Sequence, residues 1–362
     1  MIAALVGTCS APKTRRIRYE TRSQHVSQDN SVVPVIDIAA LHGDDEAAMI
    51  AVAAELDAAC REIGFFQIRN HGISEDVIEA MYRTADEFFA LPDEEKRLVA
   101  QPSSDAVRGY SSIGEQAFSY SEDVHQPRDL HEKFDIGPVD VDRDDPYYAP
   151  ENAGPHFLPN LWPQRPAGME AAWTTYFHAM NDLARKLMSA FALGLRLPAD
   201  YFVDTIDRDI SMLRAINYPH LNTPPQPGQM RAGAHTDYGS LTIVRQEAAP
   251  GGLEVFTKDG DWISVPVVPD ALVVNIGDLM AQWTNDLWTS TRHRVRTPGP
   301  DASGDTRRMS LVFFHQPNYD AVIETLPTCI TADNPRRYDP TTSGDHLTSK
   351  FEKTIALAST NG

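Results

Sequence analysis

The chain reads as a mainly β protein with flanking helices, and three observations predict it. Helical periodicity dominates the first half, the hydrophobic period changes to two at Ser211, and no strand–helix alternation links the halves. Many short strands separated by turns suggest a barrel or a double-sheet jelly roll. The missing βαβ rhythm argues against a Rossmann or TIM-barrel plan.

In chain order, ordered structure is expected from Val32, with Val33 to Ile38 as a short strand. Asp44 to Ile63 carries apolar residues at spacings of three and four, the signature of an amphipathic helix. Gly64 to Ile68 reads as a second strand, closed by the turn-forming Asn70-His71-Gly72. Ser74 with Glu75 and Asp76 opens a helix that runs through Phe89 and stops at Leu91-Pro92. Residues 98–165, rich in Ser, Asp, Pro and Gly, read as irregular, with one apolar piece at Phe134-Asp135-Ile136. So long a loop-like stretch suits a cover over a site. Met169 to Leu195 is the longest helix; its stripe from Trp173 to Phe191 is expected to be core. Strands follow at 212–218, 241–245, 253–256, 262–265, 272–276 and 309–315, with Lys258-Asp259-Gly260 as a hairpin turn. The expected organisation is a flexible extension (1–31), a helical and mixed region (32–207) and a β region (208–355), the last two forming one unit.

Bulk properties narrow the function. The 362 residues are 42% hydrophobic and 23% charged, ordinary for a soluble globular protein. A net charge of −19 argues against nucleic acid or an anionic membrane as partner, since both need basic surface. A small molecule is the expected partner. Cys9, Cys60 and Cys329 form no CxxC pair, which fits a reducing, cytoplasmic setting. No run of about 18 apolar residues exists to span a membrane. Met1 to Ser10 lacks the basic start of a signal peptide, so a flexible extension is expected there.

Chemistry concentrates in Arg231 to Val244. On an extended chain His235 and Asp237 point to one side, giving an imidazole and a carboxylate on one face. His-x-Asp alone is more often a plain hydrogen-bonded pair. His293, within Ser290 to Val295, supplies a third candidate ligand. Two His and one carboxylate with open positions form the facial triad of Fe(II) oxygenases. His71, in a turn before a helix, reads instead as a structural hydrogen-bonder. Further on, Arg308 and Ser310 share a strand face, a planar fork beside a hydroxyl that suits a carboxylate.

These motifs, in this order, resemble the isopenicillin N synthase-like Fe(II) and 2-oxoglutarate-dependent oxygenases. The resemblance runs from about Val33 to Phe351. It includes PVIDI (34–38), GFFQIRNHGI (64–73), FFALPDEEK (88–96), EKFDIG (132–137), HTDYGSLTIV (235–244), NIGDLMAQWTND (275–286), STRHRV (290–295) and RMSLVFFHQPN (308–318). It implies a double-stranded β-helix (jelly roll) core. It also implies His235, Asp237 and His293 as iron ligands, with Arg308, Ser310 and Tyr218 holding the 2-oxoglutarate cosubstrate. The implied reaction consumes O2 and releases succinate and CO2 while hydroxylating, desaturating or cyclising a small metabolite. Asp237 is intact where related halogenases lack a carboxylate, which argues against halogenation.

Alternatives remain at this level: a same-family oxidase without 2-oxoglutarate, an inactive binding protein on this scaffold, or a zinc hydrolase. Family members place substrate contacts around Arg108, Tyr110 and Gln116, at Arg214 and near Phe314. Arg214 is equally readable as an anion contact or as half of a salt bridge in the sheet. Phe313, Val274 and Ile243 are expected either as a wall around the reaction centre or as core.

Overall fold

Period-two alternation in the second half of the chain builds two sheets that pack face to face. The structure is a computed structural model that describes residues 32–103, 107–115, 127–221, 223–299 and 301–359. The expected extension 1–31, with Cys9, and Gln116 lie outside the described residues.

The strands of the two main sheets are β1 (Val35–Asp37), β2 (Phe65–Arg69), β3 (Gly109–Ser111), β4 (Glu132–Ile136), β5 (Met212–Tyr218) and β6 (Ala232–His235), followed by β7 (Leu241–Gln246), β8 (Gly252–Phe256), β9 (Trp262–Ser264), β10 (Leu272–Ile276), β11 (His293–Arg296) and β12 (Arg308–His315). Eight of them form one sheet in the order β1-β2-β10-β7-β12-β5-β4-β3; β6-β11-β8-β9 form a second. The helices of interest are α1 (Glu46–Glu62), α2 (Glu75–Phe89), α3 (Met169–Gly194), α4 (Asp278–Trp283) and α5 (Ser343–Ser359).

Each long strand of the large sheet has two buried faces. Leu213, Ala215, Ile243, Val274, Met309, Leu311 and Phe313 pack in one cluster with Trp173, Phe177, Met180, Leu187 and Phe191 of α3 and Leu56 of α1. The stripe on α3 is therefore core, as its periodicity predicts. The intervening residues turn towards the small sheet. Phe65 and Val273 meet Leu253 and Val255, while Ile216, Tyr218 and Val312 form a neighbouring cluster beside Val244, Val295 and Phe314. Burial of apolar side chains on both faces, at about 25 cal/mol per Å², is the main force holding sheets and helices together.

The structure departs from the expected layout in places and decides one open choice. Residues 98–165 are not wholly irregular: β3 and β4 lie within them and extend the large sheet through β5. Their strand pattern is hidden because β4 buries Glu132, Lys133 and Asp135, charged residues that polarity alone assigns to a loop. β6, β11, α4 and α5 were also not legible; β11, for example, is the charged tetrad His293-Arg294-Val295-Arg296. Of the two readings open for Phe313, Val274 and Ile243, the core one holds: they pack beneath the helices, and the Phe313 ring sits edge-on to Phe177 at 5.3 Å.

Candidate active site

Strand register brings the two histidines together. In the antiparallel β6–β11 pair His235 lies opposite His293, and their ring centroids are 4.3 Å apart. Asp237 follows the end of β6, and its Oδ1 is 3.8 Å from His235 Nε2 and 3.7 Å from His293 Nε2. One ligand atom from each of the three residues fits within 4.8 Å of the others, a spacing that suits one metal ion.

Neighbouring groups orient each ligand. His235 Nδ1 meets the Gly233 carbonyl at 2.7 Å, and His293 Nδ1 meets the Thr291 carbonyl at 3.1 Å. Both rings are then Nδ1–H donors, and each keeps its Nε2 lone pair for the centre. Burial, with help from His293, pushes His235 down to about 4, so its imidazole is neutral near pH 7. Burial favours the protonated form of Asp237, but the two imidazoles and hydrogen bonds from Asn275 and Thr242 outweigh it and hold the carboxyl below its usual range.

Arg308 stands on the inner face of the large sheet, opposite Tyr218 on β5, and Ser310 follows on the same face opposite Gln246 of β7. Its guanidinium is almost wholly buried, 6.0 Å from the centre of the Tyr218 ring, and donates to Gln246 Oε1 at 3.2 Å. No carboxylate pairs with it among the described residues, and its Nε and the Gln246 Nε2 are buried without a hydrogen-bond partner. Gly252 makes room for it: a Cβ there would come within 2.8 Å of Arg308 Nη1, at a φ of +135°. Nearby Arg231, equally buried, differs, because it donates to the carbonyls of Pro219, Pro250 and Thr306 and so serves the fold.

Comparison with known proteins decides what the arrangement belongs to. A family profile described as the 2OG-Fe(II) oxygenase superfamily matches residues 210–317, and one described as the N-terminal part of non-haem dioxygenases in morphine synthesis matches 33–165. Homoarginine-6-hydroxylase 2-ODD-233 of Oryza sativa subsp. japonica is 32% identical over 90% of this chain and 98% of its own. Homoarginine-6-hydroxylase 2-ODD-C23.1 of Arabidopsis thaliana is also 32% identical, over 92% of this chain and 100% of its own. A full-length Neurospora crassa protein crystallised with alpha-KG and thymine superposes with a TM-score of 0.77 at 31% identity, covering 92% of this chain and 99% of that one. The chain belongs to the 2OG-Fe(II) oxygenase superfamily. It is an oxidoreductase of the dioxygenase type with the double-stranded β-helix core of these proteins, and its cofactors are Fe(II) and 2-oxoglutarate.

The candidate substrate contacts of the oxygenase separate by sheet face. Arg214 and Phe314 point inwards, with the guanidinium 5.2 Å from the Phe314 ring centre. Arg214 is also an ion-pair member: its Nε meets Asp135 Oδ1 at 2.5 Å. Tyr110 is corrected. It stands beside Phe88 on the helix-facing side of β3 and donates to Glu132 Oε2 at 2.6 Å, directed away from the metal ligands. Arg108 is buried and donates to the carbonyls of Val107 and His156; burial drives it down to about 10. His71 Nδ1 accepts from the Ile73 N–H at 3.2 Å, the structural role its turn suggests.

Two supporting groups escaped the sequence reading. Asn275 of β10 donates to Asp237 Oδ2 at 2.7 Å, so the large sheet holds a ligand carried by the small one. Asp278, opening α4, accepts from Thr236 Oγ1, from Ser290 Oγ at 2.7 Å and from Lys350 Nζ at 2.6 Å. Its own N–H donates to the Asp237 carbonyl at 2.7 Å. It thereby ties both ligand-bearing segments to α5. Both residues lie in the matched NIGD motif, but a metal-site role shows only once the segments are folded together.

Proposed function

We propose that this oxygenase hydroxylates a small-molecule metabolite, with His235, Asp237 and His293 holding Fe(II) and Arg308, Ser310 and Tyr218 holding the far carboxylate of 2-oxoglutarate. The observation that carries the reading is a buried guanidinium without a carboxylate partner, in the same barrel as a complete triad. A buried charge left unpaired is costly, and a dicarboxylate reaching Arg308 satisfies it. The residues therefore fit both groups: two imidazole Nε2 atoms and an ionised carboxylate for a divalent cation, a fork and Tyr218 for an anion. When bound with O2, Fe(II) and 2-oxoglutarate supply oxidation of a C–H bond, with succinate and CO2 released.

The chain's own part is positional. The carbonyls of Gly233 and Thr291 fix the two rings, and Asn275 and Thr242 keep Asp237 charged. Val244, Val312 and Ile216 supply apolar surface next to Tyr218, which limits water at the oxidising centre. Hydroxylation, rather than desaturation or ring closure, is favoured because relatives named homoarginine-6-hydroxylase match over nearly their whole length. The test is O2-dependent succinate release coupled to gain of one oxygen atom by a metabolite. Turnover without succinate would overturn the reading in favour of an oxidase that does not use 2-oxoglutarate.

A further inference from the structure

The inner face of the large sheet carries a second group of charges that the proposed chemistry does not use. In the β4–β5 pair Asp135 lies opposite Arg214 and Lys133 opposite Ile216, on the face shared by Tyr218, Ser310 and Phe314. Arg214 grips Asp135 through Nε (2.5 Å) and Nη2 (3.3 Å), and Lys133 Nζ meets Asp135 Oδ2 at 2.7 Å. Side-chain exposures are 1% for Lys133, 0% for Asp135 and 6% for Arg214, so the group has left bulk water.

We infer that the substrate carries a carboxylate, and that this carboxylate docks between Lys133 Nζ and Arg214 Nη1. The inference rests on the reading above, in which the triad marks the reaction centre.

Charge balance is the first argument. Two cations share one carboxylate, leaving one buried positive charge, which a single monoanion cancels. The other groups that act most strongly on Lys133 and Asp135 do not cancel it. Arg108 adds further positive potential at Asp135, and burial keeps His131 neutral. Glu115 acts on Lys133 only weakly, as the last of the influences upon it. Glu132 points to the opposite face, where Lys96, Tyr110 and Asn217 engage it. Burial and Arg214 together drive Lys133 down to about 8, against the pull of Asp135.

Donor capacity is the second argument. An ammonium has three N–H groups, and Asp135 is the one side chain that Lys133 is bonded to among the described residues. Arg214 Nη1 likewise has no protein partner among them. Asp135, by contrast, has both oxygens engaged by these cations and no exposed surface, so it offers little to a cationic substrate group. Phe314 lies 5.2 Å from the guanidinium, fixing its plane and offering apolar surface to the carbon skeleton behind the carboxylate. The cluster also shares its sheet face with Tyr218, Arg308 and Ser310, the residues proposed to hold 2-oxoglutarate.

The test uses matched probes: hexanoate and 3-phenylpropanoate, their primary amides, and hexylamine and 3-phenylpropylamine. Each is titrated calorimetrically into full-length protein, first with Fe(II) and 2-oxoglutarate under anaerobic conditions and then metal-free. Acids should bind roughly 10-fold or more tightly than their amides, with amines weakest, as expected when one partner of a desolvated charge pair is removed. Lys133→Met leaves Asp135 and Arg214 as a balanced pair, and Arg214→Gln leaves Lys133 with Asp135. In either variant the acid-to-amide ratio should fall to about 1–3 while 2-oxoglutarate affinity stays at the parent value. Amides or amines binding as tightly as acids, a ratio that survives in both variants, or no acid binding at all would overturn the inference. The Fe(II)–2-oxoglutarate absorption band reports separately on the reading it rests on. Absence of that band sinks that reading, while the metal-free acid-to-amide ratio still decides this one.

Discussion

Asn275 Nδ2 donates to Asp237 Oδ2 at 2.7 Å, while Asp237 Oδ1 faces the Nε2 atoms of His235 and His293 at 3.8 and 3.7 Å. The carboxylate is thus divided between two tasks. One oxygen is anchored to the large sheet, and the other is presented to the centre. A ligand held in this way loses little rotamer freedom when a cation arrives.

Metal binding should therefore grade with distance from the ion. Asp237→Ala and His293→Ala are expected to lose tight Fe(II) binding, read by anaerobic metal titration. Asn275→Ala should keep one site per chain but weaken it by about 10–100-fold, the usual effect of removing a ligand's supporting hydrogen bond. His71→Gln and His315→Gln should match the parent; equal losses in these controls would mean that unfolding, not ligation, was being measured.

For the cosubstrate, Arg308→Gln should weaken 2-oxoglutarate by roughly 30-fold or more, since it truncates one partner of a buried charge pair. Fe(II) affinity should be retained. Arg308→Lys keeps the charge without the fork and should fall between the two. Anaerobic titration of the metal-to-ligand absorption band measures both. Unchanged affinity in Arg308→Gln would remove this residue from the site.

Tyr110 provides a stability test of its outward placement. Its hydroxyl donates to Glu132, which Lys96 Nζ also meets at 2.6 Å and Asn217 Nδ2 at 2.7 Å. Tyr110→Phe should cost about 1.5–3 kcal/mol, the range for a hydrogen bond to a charged group. Urea unfolding would show this, with 2-oxoglutarate affinity of the folded protein unchanged. A loss of affinity without loss of stability would return Tyr110 to the binding surface.

Acid should destabilise the metal-free protein before carboxylates titrate. Burial pushes His131 down to about 3 and His315 down to about 4, from an ordinary 6.5. The unfolded chain then binds more protons than the fold between roughly pH 6.5 and 4, so these residues' full contribution is present above 6.5 and is lost as pH falls. Urea midpoints from pH 7 to 4 should decline, and less steeply in His315→Gln. An identical decline in that variant would show that His315 is not a source of the slope.

The sequence revealed much of this molecule where residue pattern and chemistry agree. β5 and β10 are β-forming runs clear enough to be bounded to the residue, and the triad and Arg-x-Ser are chemical signatures as much as structural ones. Legibility failed where charge is buried. Glu132, Lys133 and Asp135 read as loop polarity, yet Glu132 is met by Lys96 and Asn217 and Asp135 by Arg214, partners remote in the chain, while Lys133 pairs with Asp135 on its own strand. Asn275 and Asp278 were invisible for the same reason, since what they hold lies tens of residues away and only folding makes them neighbours.

The two buried faces of the large sheet carry one last consequence, for how this enzyme tolerates change. Along β5 and β12 odd-numbered residues such as Leu213, Ala215, Leu311 and Phe313 meet the helices, and even-numbered ones such as Arg214, Tyr218, Arg308 and Ser310 meet the reaction centre. Parity therefore separates two kinds of damage. In a saturation scan scored once for cellular abundance and once for turnover per molecule, odd positions on these strands should fail the first assay and even positions the second. New substrate preferences could then arise along the even register of a sheet whose odd register still holds it folded.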